Sequence, residues 1–287
     1  MFVSSAAFAK PFEGGEPYPS FQGRTPALRG FYLGYDVGDP TPGDHEIQLI
    51  QVLAGGASHD LSPNADLSPI ALPDGELHPA LQDANAAGEE FFYRVSHSLL
   101  RLPGAQRYQV RDVGAVDHVV RPLTIPPSAG DAPVRPRASG DPLLALVGFK
   151  MFFTGGRDHE LDRVGVWFRG KDLHVAMRDK NGDDTFGYLV DFIAVPRPLA
   201  GTNVSTGILR GSARGGRQIS IPSPSHTDFL LTGWALNYQS GDHEIRDIGV
   251  DRSNDDVTVF YSDKNGDDPF DWRVEWAHVG PMVLAPT

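Results

Sequence analysis

Residues 148–196 read GFKMFFTGGRDHELDRVGVWFRGKDLHVAMRDKNGDDTFGYLVDFIAVP, and residues 233–281 read GWALNYQSGDHEIRDIGVDRSNDDVTVFYSDKNGDDPFDWRVEWAHVGP. The two align from end to end with one single-residue offset just before Asp-His-Glu. In both, 20 residues separate the His of that triplet (His159, His243) from the first Asp of DKNGDD (Asp179, Asp263). Long matched segments with equal internal spacing mark a repeated supersecondary unit.

A third, degraded copy lies upstream. Residues 30–52 read GFYLGYDVGDPTPGDHEIQLIQV, and ELHPALQDAN (76–85) lies over DLHVAMRDKN of the second copy. Here His45 and Asp83 are 38 residues apart, and the additional residues fall in the Pro/Ser/Ala-rich stretch 54–72. That stretch reads as a loop insertion at a hairpin end. The expected organisation is an extended arm over 1–29 and modules over 30–118, 141–196 and 226–287. The intervening segments 119–140 and 197–225 each pair a short apolar element with prolines. Each reads as an edge strand plus a stiff linker, because proline cannot donate to a ladder.

Within the modules the apolar residues alternate. Leu173, Val175 and Met177 do so, as do Val257, Val259 and Tyr261, and Trp272, Val274 and Trp276. Period two with aromatic and β-branched residues is the pattern of half-buried strands. The fold class is therefore all-β: three tandem small β-sandwich or barrel-like modules, the first degenerate. Two arrangements satisfy the pattern, three separate cores in line or one core shared around a pseudo-threefold axis. A strand-borne Trp (Trp167, Trp234, Trp272, Trp276) reads as core; an exposed one would offer a stacking face.

Composition agrees with this class. Gly (32) and Pro (24) make up about a fifth of the 287 residues, as expected for many turns between short strands. The net charge of −12 argues against nucleic acid and against anionic lipid surfaces, both of which attract basic faces. With no cysteine, disulfides and thiolate chemistry are excluded. No apolar run approaches the roughly 20 residues that span a bilayer. The N-terminus lacks the basic flank of a secretory signal, so synthesis in the cytoplasm is expected, with release inside a particle as an alternative.

Two motifs could carry chemistry. DKNGDD clusters oxygen donors around a glycine bend, as calcium loops do, which nominates Asp179, Asn181, Asp183, Asp184, Asp263, Asn265, Asp267 and Asp268 as ligands of Ca2+. It also reads as a hairpin turn in which Asn-Gly supplies positive φ. The triplet occurs three times: Asp44-His45-Glu46, Asp158-His159-Glu160 and Asp242-His243-Glu244. Each His reads as a structural hydrogen-bonding residue, or as part of a ligand site formed with the DKNGDD loop. No nucleophile elbow, zincin helix, Walker loop or dinucleotide fingerprint is present.

Repetition of one constellation suits avidity better than a single active site, so the chain is expected to be non-enzymatic. The first expectation is a structural component, a decoration, cap or fibre-associated part of a larger particle such as a phage-like virion. Its partners would then be structural proteins or further copies of itself. The second is a multivalent, lectin-like glycan binder.

Overall fold

The computed structural model describes residues 2–10, 15–21, 24–35, 45–62, 72–84, 89–102, 104–126, 141–155, 159–180, 182, 184–195, 203–239, 243–263 and 268–280. All regular elements among them are strands, packed sheet against sheet. No helix among the described residues is long and apolar enough to cross a membrane.

The strands fall into three runs. The first is β1 (Phe2–Ala9), β2 (Glu16–Pro17), β3 (Thr25–Gly34), β4 (Ile47–Ala54), β5 (His59–Asp60), β6 (Glu76–Asp83) and β7 (Phe91–Leu100). The second is β8 (Gln106–Val116), β9 (His118–Pro122), β10 (Leu143–Phe153), β11 (Leu161–Arg169), β12 (Asp172–Asp179) and β13 (Thr185–Val195). The third is β14 (Val204–Ser220), β15 (Asp228–Tyr238), β16 (Ile245–Ser253), β17 (Asp256–Asp263) and β18 (Pro269–Val279).

Pairing follows one rule throughout. The outer strands of each motif pair with each other, β3 with β7, β10 with β13 and β15 with β18. The inner hairpins are β4–β6, β11–β12 and β16–β17. The seams between runs then close a cycle: β10 pairs with β4, β15 with β11, and β3 with β16. Each run thus gives its outer pair to one wall and its inner hairpin to the next. Of the two arrangements open to the sequence, the shared core is the one formed.

Hydrogen bonding joins these walls into an 11-stranded and a seven-stranded sheet. Strand β14 is responsible for the larger one. Residues 204–214 pair with β18, and residues 215–220 pair with β17 in the neighbouring wall. At the changeover Gly215 has φ +67°, a left-handed value that glycine adopts without a Cβ clash. Strands β8 and β9 turn the previous corner in the same way, pairing with β13 and β12 on either side of Asp117. Strands β1 and β2 pair with β7 and β6.

The segments expected as arm and linkers therefore contain strands. Residues 106–116, assigned from sequence to the end of the first module, pair with β13 of the second run. The strand expected in each intervening segment is present: residues 118–122 form an edge strand of the larger sheet, whereas residues 204–220 are not an edge but bridge β18 and β17. Their alternating exposure reflects an outer position with one face to solvent, which leaves a weak apolar signal.

The seams explain one repeated glycine. Gly30, Gly148 and Gly233 occupy the outer strand where it meets the next hairpin, each immediately after an interruption in register. A Cβ on Gly30 would lie 2.7 Å from the Val250 carbonyl oxygen, and one on Gly148 would collide with the Val52 carbonyl oxygen. Only the bare backbone allows the walls to approach this closely. The next residue in each copy points inward, and Phe31, Phe149 and Trp234 meet with ring centroids 4.9, 4.9 and 5.2 Å apart. All three are fully buried.

A second tie between runs is polar. His97, fully buried on β7, donates from Nε2 to the Val147 carbonyl (2.8 Å), and its Nδ1 accepts from the Tyr18 hydroxyl (2.8 Å). Burial, more than any other influence, lowers its pKa to about 4. The unfolded chain takes up this proton near pH 6.5, whereas the folded chain resists it until about pH 4. Stability from this group is therefore complete above pH 6.5 and lost as pH falls towards 4, a change of about 3 kcal/mol. Urea unfolding at pH 7 and pH 4.5 is expected to show a steeper loss in the wild type than in His97→Gln. Equal slopes would contradict the neutral, buried imidazole.

Candidate functional site

Each inner hairpin opens towards the start of its first strand and the end of its second. Ile47 pairs with Asp83, Leu161 with Asp179, and Ile245 with Asp263. The His of each triplet sits two residues before the first member of that pair. Local register therefore delivers His45, His159 and His243 to the carboxylates of Asp83, Asp179 and Asp263. A second acid arrives from the residues just before the following strand: Glu89, Asp184 or Asp268. In each group the ligand-capable atoms lie within 4.8 Å of one another.

In the first cluster, His45 Nδ1 lies 3.1 Å from Asp83 Oδ2 and 3.3 Å from Glu89 Oε2. In the second, His159 Nδ1 is 2.9 Å from Asp184 Oδ2, and Asp179 Oδ1 accepts from the Gly182 amide at 2.7 Å. In the third, His243 Nδ1 is 3.4 Å from Asp263 Oδ2 and 3.5 Å from Asp268 Oδ2. The histidines and first acids are buried; the second acids are partly open to solvent.

An aromatic ring from the end of the preceding outer strand covers each imidazole. Tyr35 stacks on His45 at 4.1 Å, Phe153 on His159 at 4.2 Å and Tyr238 on His243 at 3.7 Å, with interplanar angles of 20°, 19° and 14°. The ring fixes the imidazole plane and shields it from water. Burial pushes the Tyr238 hydroxyl far up, and the charges of Asp263, Asp268 and Asp247 push it further, as expected beside an anionic cluster.

The structure thus gathers His45, His159, Asp179, Asp184, His243, Asp263 and Asp268 from the residues nominated by sequence. Asp44, Asp158, Asp242, Asn181, Asp183, Asn265 and Asp267 lie outside the described residues. Two triplet glutamates serve the ladder. The Glu46 carbonyl accepts from Ala84 and the Glu160 carbonyl from Lys180, while the Glu160 carboxylate pairs with Lys180 Nζ at 2.7 Å. Glu244 is absent from the third cluster.

Sequence reasoning did not nominate Asp83 and Glu89. Asp83 was legible from its alignment with Asp179 and Asp263. Glu89 was masked by a loop one residue longer than its counterparts, which places it six residues after Asp83 rather than five.

Beside the second and third clusters, a pocket of about 490 Å³ opens where β11 and β12 meet β15 and β18. Asp162, Arg178, Lys180, Asn237, Gln239 and Asp271 line it. Arg178 Nε donates to Asp162 at 2.9 Å, and Gln239 donates to Asp271 at 2.9 Å. Further along the outward face of β11, Trp167 lies parallel to His118 and His174, with Arg273 over its ring at 5.2 Å. Compared with known proteins, the chain matches no family model and no curated protein sequence.

Proposed function

We propose that the protein is a non-enzymatic, multivalent carbohydrate-binding protein whose ligand surfaces are the loop pairs at the three His–carboxylate clusters. The observation that carries this reading is the recurrence of one fastening device at the same place in all three motifs. Each device ties the histidine entering an inner hairpin to the acids leaving it, so three such junctions recur on one core. Rigid repetition of this kind converts weak single contacts into avidity.

The pocket supplies the ligand class. Its carboxylates, amides and guanidinium offer the mixed donors and acceptors that hydroxyl-rich ligands require. A glycan array probed with the intact chain is expected to give hits that Gln239→Ala combined with Asp271→Ala weakens at least roughly tenfold, the loss of about one charged hydrogen bond or more. Both residues lie at the pocket rim, so the fold should persist. Hits indifferent to the double variant would displace the site from this pocket.

A second reading, a structural component of a larger assembly, draws support from β1. This strand ends the larger sheet and exposes Phe2 (57%) and Phe8 (59%). An unpaired apolar edge is a template for association. A blank array from a chain that self-associates in sedimentation would favour assembly over glycan binding.

A further inference from the structure

We propose that each of the three clusters binds one divalent cation of the zinc type, through His45 with Asp83 and Glu89, His159 with Asp179 and Asp184, and His243 with Asp263 and Asp268. The inference is independent of which ligand the loops carry.

The first support is an unmet valence. His159 is fully buried, yet among the described residues neither of its ring nitrogens has a hydrogen-bond partner. Its Nδ1 is only 2.9 Å from Asp184 Oδ2, but the oxygen lies off the N–H direction, so the contact is not a hydrogen bond. A nitrogen and an oxygen that are close without pointing at each other have the relation of two ligands pointing at a common third atom. Leaving such a group unsatisfied in the interior costs free energy.

Spacing gives the second support. Ligand distances of about 2.1 Å at a tetrahedral angle separate two donor atoms by about 3.4 Å. The clusters hold their nitrogen–oxygen pairs at 2.9 to 3.5 Å; in the first and third the imidazole Nδ1 hydrogen-bonds Asp83 (3.1 Å) and Asp263 (3.4 Å), contacts that a bound ion would replace. Charge adds a third. With both carboxylates ionised, one imidazole leaves each cluster net negative whether or not it carries a proton. A divalent ion on a neutral ring cancels both charges.

The donors among the described residues point to the ion. Calcium takes six to eight oxygens in flexible loops, whereas a buried imidazole nitrogen with two carboxylates suits zinc and its neighbours. The stacked rings of Tyr35, Phe153 and Tyr238 hold the imidazoles in the plane that ligation needs, a supporting role of the kind that tunes metal sites.

The test is zinc stoichiometry on the intact chain in the absence of any glycan. Protein stripped with a chelator is titrated with Zn2+ against a chromophoric competitor, then repeated with calcium in excess. Close to three equivalents per chain are expected, with calcium failing to displace them. His159→Gln is expected to lose one equivalent. Should that variant not fold, Asp184→Asn at the partly exposed rim replaces it, with a native circular dichroism spectrum and the same lost equivalent expected. No retained zinc, a stoichiometry unchanged by either variant, or displacement by calcium would each overturn the proposal. Because no sugar is present, failure here leaves the glycan reading standing, and a blank array leaves the metal sites standing.

Discussion

Trp234→Ala is expected to destabilise the protein by roughly 3–5 kcal/mol, the range for deleting a large buried aromatic. The indole is fully buried where three walls converge, 4.9 Å from Phe31 and 5.2 Å from Phe149 between ring centroids. Those neighbours come from other runs of the chain and sit on strands locked by seam pairing. They have little freedom to collapse into the void. Trp234→Phe is expected to cost far less, because among the described residues the indole Nε1 has no hydrogen-bond partner to lose. Urea unfolding followed by fluorescence and circular dichroism measures both. A loss below about 1 kcal/mol for the alanine variant would mean that the aromatic triad does not hold the walls together.

Arg107→Ala is expected to cost a similar 3–5 kcal/mol, through charge rather than volume. Arg107 Nε donates to both oxygens of Asp191 at 2.9 Å, and Nη2 reaches the same carboxylate. The guanidinium also donates to the carbonyls of Gly55 (2.8 Å) and Ala54 (2.6 Å), where the chain leaves β4 for the insertion. Burial pushes the Asp191 carboxyl up, and Arg107 opposes that shift. Removing the arginine strands a buried carboxylate and frees two carbonyls at once. The double variant Arg107→Met with Asp191→Leu is expected to recover much of the loss, since well-packed apolar residues often replace a buried pair without cost. A double variant as unstable as the single one would show that the carbonyl contacts, not the ion pair, carry the stability.

Much of the candidate site was legible because hairpin register is local. The triplet histidine and the DKNGDD aspartate lie 20 residues apart in two copies, which is the length of two strands and a tight turn. In the first copy the distance is 38, but the insertion falls between β4 and β6 at the closed end of the hairpin, and the open end keeps its register. The second acid depends on loop length as well as spacing, and in the first copy Ala86-Ala87-Gly88-Glu89-Glu90 has lost the DKNGDD pattern that marks it in the others.

The sequence by itself determined the all-β class, the alternating inward faces of the module strands and the spacing that brings each triplet histidine to the open end of its hairpin. All of these follow from period-two patterning and short-range hairpin geometry. Only the tertiary structure decided that β3 pairs with β16, β10 with β4 and β15 with β11. The copies resemble one another, so an outer strand could meet the hairpin of its own copy or of either neighbour with equal local preference. What separates those alternatives is closure of the whole ring. Glycines at the seams admit the neighbouring backbone, and Phe31, Phe149 and Trp234 fill the centre only when each comes from a different run.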